Sequence, residues 1–171
     1  MINFRLPLMA VVLSVSMCCT AQIQKTIMGF TLGTSTREYV KQTLTRKGYK
    51  LKNEIGGSFS IENKDVYYAG IAWNYIYFIF YENKLESVWL QNNEQQSALP
   101  LEDLYSKLYD TLTGKYSQYI FKNEDGNVLF TDNAIFLSLN KGYFKGTQYV
   151  SISYEDMELM NKKQKQEESE L

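Results

Sequence analysis

The sequence predicts an α+β fold: two tandem helix-plus-antiparallel-strand units forming a largely antiparallel sheet, with helices packed on one face. Three observations predict it. Helix signals occur twice, near Thr36 and near Leu101. Each is followed by about four short runs rich in aromatic and β-branched residues, the composition that suits a pleated surface. The connections between runs are too short for parallel crossovers, so neighbouring strands should be antiparallel.

Residues 1–21 read as a secretory signal peptide: Arg5 supplies the positive charge, residues 6–17 carry no charge, and small residues lead to Ala21. The apolar run is about a dozen residues, short of the roughly 20 that a bilayer-spanning helix needs. Cleavage after Ala21 and export to the periplasm or the cell exterior are therefore expected, with no transmembrane span in the mature chain. Lipidation at Cys18 or Cys19 is the second reading. Val15-Ser16-Met17 and Ser16-Met17-Cys18 put a bulky or unusual residue where a lipobox takes a small one.

Both cysteines fall in this leader, so the mature chain has no disulfide and must be held by a packed core. Residues 22–165 are expected to form a single domain, with pseudo-repeats at about 28–92 and 98–156 and a frayed, charged tail at 166–171.

Ser35, with Glu38 three residues later, spells a capping box for a helix over residues 36–47, and Gly48 supplies its left-handed end. The second helix is marked by Leu101, Leu104, Tyr105, Leu108 and Leu112 at helical spacing, with Pro100 in the first turn and Gly114 near the end. Strands are expected at 58–62, 65–73, 75–81 and 85–91, with turns at Asn63-Lys64 and 82–84. A second set is expected at 116–121, 127–131, 134–140 and 148–154, with turns at 124–126, at Asp132-Asn133 and over 141–146. Residues 156–165 suit a short closing helix.

Gly29-Phe30-Thr31-Leu32-Gly33 before a capped helix, Lys47-Gly48-Tyr49 after it, the later segment from Leu108 to Lys115-Tyr116, and residues 150–156 resemble a pattern in small exported proteins of unknown function from Gram-negative gut bacteria. The doubled helix-plus-sheet order is similar to the beta-lactamase inhibitor protein fold. That likeness implies one sheet whose open face grips a protein partner, although this chain lacks that family's cysteines. The opening strand and Gly-Thr/Ser helix start also resemble outer-membrane assembly lipoproteins of the SmpA/OmlA type, which are usually shorter and depend on a lipidated cysteine.

The chain has no histidine, which removes imidazole acid–base chemistry and histidine-ligated metals; loss of the leader removes thiol chemistry as well. Three acidic pairs remain, Glu102-Asp103, Glu124-Asp125 and Glu155-Asp156, each in a turn or helix start where acids cap and solvate. Asp125-Gly126-Asn127 reads as a hairpin turn, lacking the further oxygen ligands of a calcium loop. No catalytic residue, metal or cofactor is expected. Without Arg5, 17 of the 18 basic residues remain against 19 acidic ones, interspersed along the chain, so nucleic acid is not an expected partner.

Strand alternation separates two faces. Ile76, Phe78, Phe80, Val88, Leu90, Ile135, Leu137, Leu139, Val150 and Ile152 fall on one, expected to face the helices. Tyr75, Tyr77, Tyr81, Trp89, Phe136 and Tyr149 fall on the other, among Ser87, Ser138, Ser151 and Ser153. Tyr and Trp are common binding anchors. The expected function is a non-enzymatic module contacting an unknown protein partner in the cell envelope through these six residues. Glycan binding or processing, or a lipid-anchored structural role, are the alternatives. Cross-strand ring pairs that merely stabilise the sheet, under covering loops, are the structural reading of the same pattern. Trp73 is left open, because a bulge at Gly70 would reverse its facing.

Overall fold

The computed structural model describes residues 22–124 and 126–170. The expected signal peptide, with Cys18 and Cys19, lies outside them. The described elements begin with a small hairpin, β1 (Thr26–Ile27) and β2 (Phe30–Thr31), followed by helix α1 (Arg37–Arg46). Then come β3 (Leu51–Ile55), β4 (Ser58–Tyr68), β5 (Ile71–Tyr81) and β6 (Lys84–Asn93). Helix α2 (Leu101–Tyr116) and a single 3₁₀ turn lead to β7 (Ile120–Glu124), β8 (Asn127–Thr131), β9 (Ile135–Phe144), β10 (Thr147–Asp156) and helix α3 (Met157–Ser169). The fold is α+β.

Among the described residues, β3 to β10 form one antiparallel sheet in the order β3-β4-β5-β6-β10-β9-β8-β7. The strands after α1 and those after α2 meet at its centre, where β6 pairs with β10 from Ser87↔Glu155 to Asn93↔Tyr149. No described helix is long and apolar enough to cross a membrane.

One face of the sheet is the core. All ten aliphatic and Phe residues expected there are buried, together with Val40 and Leu44 of α1 and Leu104, Leu108 and Leu112 of α2. Removing one such leucine side chain typically costs about 2–5 kcal/mol. The N-terminal segment adds Ile23, Ile27, Phe30 and Leu32 to this core. Phe30 packs edge-on against Phe78 with ring centroids 5.8 Å apart. Asp132 ties the segment down, its Oδ2 accepting from Ile23 N at 2.9 Å.

The helices differ from expectation at their ends. Thr36, not Ser35, caps α1, accepting from Tyr39 N at 3.3 Å. Ser35 is committed elsewhere: its carbonyl accepts from Leu85 N at 2.8 Å and its hydroxyl from Thr31 N. Gly114 does not end α2, which runs on to Tyr116 because that ring is buried in the core and its burial outweighs a mid-helix glycine. Tyr116 therefore belongs to the helix, and β7 begins only at Ile120. Helix α3 continues beyond Lys165 into the expected tail, with Asp156 Oδ1 capping Leu159 N at 3.1 Å.

The strands are longer and their turns tighter than expected. Asn63-Lys64 lies within β4 instead of forming a turn, and the expected 65–73 strand is split by a two-residue turn at Ala69-Gly70. Glu82-Asn83 and Lys145-Gly146 make equivalent turns, so most of the expected 141–146 loop is strand. All three pairs have positive φ at both residues, matching the twist of the flanking strands. β3, closed by Gly56-Gly57, has no counterpart in the expected set.

Trp73 is buried on the core side, and the change of facing lies next to it rather than at Gly70: Trp73 and Asn74 are both buried, after which β5 alternates regularly to Tyr81. Two asparagines hold the irregularity. Asn92 Oδ1 accepts from Asn74 N at 2.7 Å, while Asn92 Nδ2 donates to Ala72 O at 2.8 Å.

Candidate functional site

Register places the opposite face in rows. One row runs Tyr77, Trp89, Ser153 and Ser138 across β5, β6, β10 and β9; the next runs Tyr75, Gln91, Ser151 and Asn140. Toward the α3 end lies Ile79, Ser87, Glu155 and Phe136. Small serines in the middle, between larger side chains on either side, make the face concave. The resulting groove has a volume of about 570 Å³ and is walled by Tyr77, Ile79 and Trp89 on one side and Phe144 and Tyr149 on the other.

Its floor is a hydrogen-bonded row. Asn140 Nδ2 donates to Ser138 Oγ at 2.7 Å, Ser138 and Ser153 hydroxyls lie 2.7 Å apart, and Ser153 Oγ donates to Glu155 Oε1 at 2.8 Å. A hydroxyl has one proton. Because Ser153 spends its own on Glu155, Ser138 must donate to Ser153, and the row points its donors at the Glu155 carboxylate.

Burial pushes the Glu155 carboxyl up from its ordinary range; the nearby Glu86 carboxylate adds to this, while the Ser153 hydrogen bond and the Lys163 ammonium oppose it. Glu86 is itself buried, with Lys163 Nζ of α3 at 3.4 Å from its Oε2. This end of the groove thus gathers two carboxylates around one ammonium. The Tyr77 hydroxyl is also raised, by burial first and then by Tyr75 and Glu62.

Of the six residues expected to bind, Tyr77, Trp89 and Tyr149 line the groove. Trp89 is 44% exposed; the other two are half-buried. Tyr75 shares the face and stacks on Tyr77, centroids 6.4 Å apart, but stands outside the lining. Phe136 is half-buried opposite Glu155 in register. Tyr81 is drawn away, its hydroxyl 2.6 Å from Gln166 Oε1 on α3.

Sequence reasoning missed Phe144, which was assigned to a loop, although it is 63% exposed on a continuing strand. It also missed Glu155. Its neighbour Asp156 is the helix cap that the acidic pair suggested, but alternation from Ser151 and Ser153 puts Glu155 on the groove side. That alternation was available in the sequence.

Compared with protein-family models, with curated proteins and with solved structures, the chain matches none.

Proposed function

We propose that this is an exported, non-enzymatic binding module that holds a protein partner in its open sheet face. The observation that carries this reading is the groove itself: half-exposed aromatic walls over a floor of serines and asparagine, in a sheet whose other face is packed under helices and the N-terminal segment. Rigid aromatic rings offer large contact area at small entropic cost, and the hydroxyl floor offers adaptable hydrogen bonds. The Glu86 carboxylate near Glu155 is already bonded to Lys163, which speaks against these two acting as an acid–base pair poised for hydrolysis.

Four consecutive strands from each half, meeting at β6 and β10, support reading the chain as two tandem units of one architecture, with the groove across their junction. The test is a partner-capture experiment on envelope fractions with the wild type and the Tyr77→Ala/Trp89→Ala double variant. Loss of specific partners in the folded variant supports the reading; an unchanged set overturns it.

Rings beside hydroxyl and amide groups also suit a sugar, so glycan binding is the second reading. A glycan array with turnover assays on any hits separates the two. Export is tested by the N-terminal residue of the mature protein: Gln22 fits signal cleavage, whereas an acylated Cys18 or Cys19 would mean a lipid-anchored component.

A further inference from the structure

Three features outside the core stand out: the edge strand β7 with exposed Ile120 and Phe121, the Tyr143-Phe144 hairpin tip, and the charge imbalance at the α3 end of the groove. Only the last says what would cover it. Glu155 faces the groove, Glu86 is buried beside it, and Lys163 is bonded to Glu86. Among the described hydrogen bonds and ion pairs, the partner of the Glu155 carboxylate is the Ser153 hydroxyl, a neutral group.

A partly buried carboxylate that must share its nearby ammonium, Lys163, with a second carboxylate, Glu86, is undercompensated, and a cation supplied from outside relieves it. The surroundings suit such a cation. The donor row through Asn140, Ser138 and Ser153 stabilises the ionised carboxylate. Trp89, one register step from Glu155 on the neighbouring strand, presents an exposed ring to a passing cation.

We propose that the groove takes a basic side chain of the protein partner, a Lys ammonium or Arg guanidinium, seated against Trp89 and Tyr77 with Glu155 as its counter-ion. The inference rests on the protein-binding reading above and names the chemistry that the groove would select. An acidic or neutral side chain leaves the imbalance in place and is disfavoured. The basic group docks as a cation on an anion, with no covalent step.

The test uses three small probes on the folded protein: N-acetyl-lysine methylamide, N-acetyl-arginine methylamide and the neutral isostere N-acetyl-norleucine methylamide. The readout is the NMR shift of the Trp89 indole N–H, assigned by its absence in Trp89→Phe. The two cationic probes should move it saturably, and the norleucine probe should bind at least several-fold more weakly. Glu155→Gln, which keeps the acceptor for Ser153, should reduce the cationic probes to the norleucine level. Acidification should weaken binding to the wild type but not to Glu155→Gln, Glu86 and Lys163 being the titratable groups that face Glu155.

Equal binding of norleucine, no movement of the indole signal, or cationic binding unaffected by Glu155→Gln would each overturn the inference. Its failure is separable from that of the protein-binding reading by selecting a random peptide library on the wild type. Peptides that require Tyr77 and Trp89 but show no enrichment in Lys or Arg sink the cation and leave the module standing. Peptide binding indifferent to both rings removes both.

Discussion

The ring of Tyr149 lies against Gly142 on the neighbouring strand: a methyl group built on Gly142 would sit 3.0 Å from the Tyr149 hydroxyl and 3.2 Å from Cζ. The two residues are direct register partners. Gly142 is needed for room rather than for an unusual backbone, and the missing side chain lets the tyrosine lie down and form one wall of the groove.

Gly142→Ala should therefore move the Tyr149 ring while keeping the fold. The expected cost is about 1 kcal/mol, at the low end for overpacking because the ring can swing outward. A structure of the variant and its thermal midpoint check both parts, and an unmoved ring would refute the account.

Gly33 is a harder constraint. Its φ is +73°, and an added Cβ would lie 2.5 Å from Asp156 Oδ2, the same carboxylate that pairs with Lys25 at 3.2 Å and caps α3. Gly29 has a similar φ of +87° with nothing nearby. Gly29→Ala should cost about 1 kcal/mol from backbone strain alone, whereas Gly33→Ala should cost at least about 2 kcal/mol more through loss of the cap and the ion pair. Equal denaturation midpoints for the two variants would contradict this.

Asn92→Ala should be among the most damaging substitutions on β6. It strands the buried Asn74 N–H and the Ala72 carbonyl, at about 1–3 kcal/mol each. Since this clasp sits where β5 changes facing, the variant should also show altered hydrogen exchange from Trp73 to Tyr77, and protection unchanged there would count against it.

Glu155→Gln should stabilise the protein at neutral pH. The folded carboxyl titrates above its unfolded value, so between the two the unfolded chain has released a proton that the folded chain keeps. Wild-type stability accordingly falls as pH rises through that window and stays lower above it. Removing the charge should recover a few tenths to about 1 kcal/mol, the partial exposure of the group limiting the effect. Denaturant titrations of both proteins at pH 4 and pH 7 check it: the difference should appear at pH 7 and shrink at pH 4.

The core face was legible in the sequence because alternation over 75–81, 87–91, 135–139 and 150–152 is unbroken, and every residue assigned to it is buried. The hairpins were less legible. Ala69, Glu82 and Lys145 occupy left-handed positions that usually go to glycine or asparagine, so all three turns lacked the usual residue at their first position. Tertiary commitments hid the rest: Ser35 looks like a cap until its carbonyl is seen to serve Leu85, and Gly114 looks like a stop until Tyr116 is seen in the core. Half of the expected binding set reaches the groove. Tyr81 does not, because α3 extends far enough to bring Gln166 to its hydroxyl, a contact 85 residues away in the chain.

The pairing of β6 with β10 joins residues that leave a ribosome far apart in time. Until Glu155 has been made, Trp89 has no serine row beside it, and β6 presents an open edge. Neither wall of the groove has its opposite before β10 is in place, so the groove is completed only when that strand has been made. A chain truncated before β10 would keep Tyr77 and Trp89 as one wall, with neither Ser153 of the floor nor Tyr149 of the facing wall.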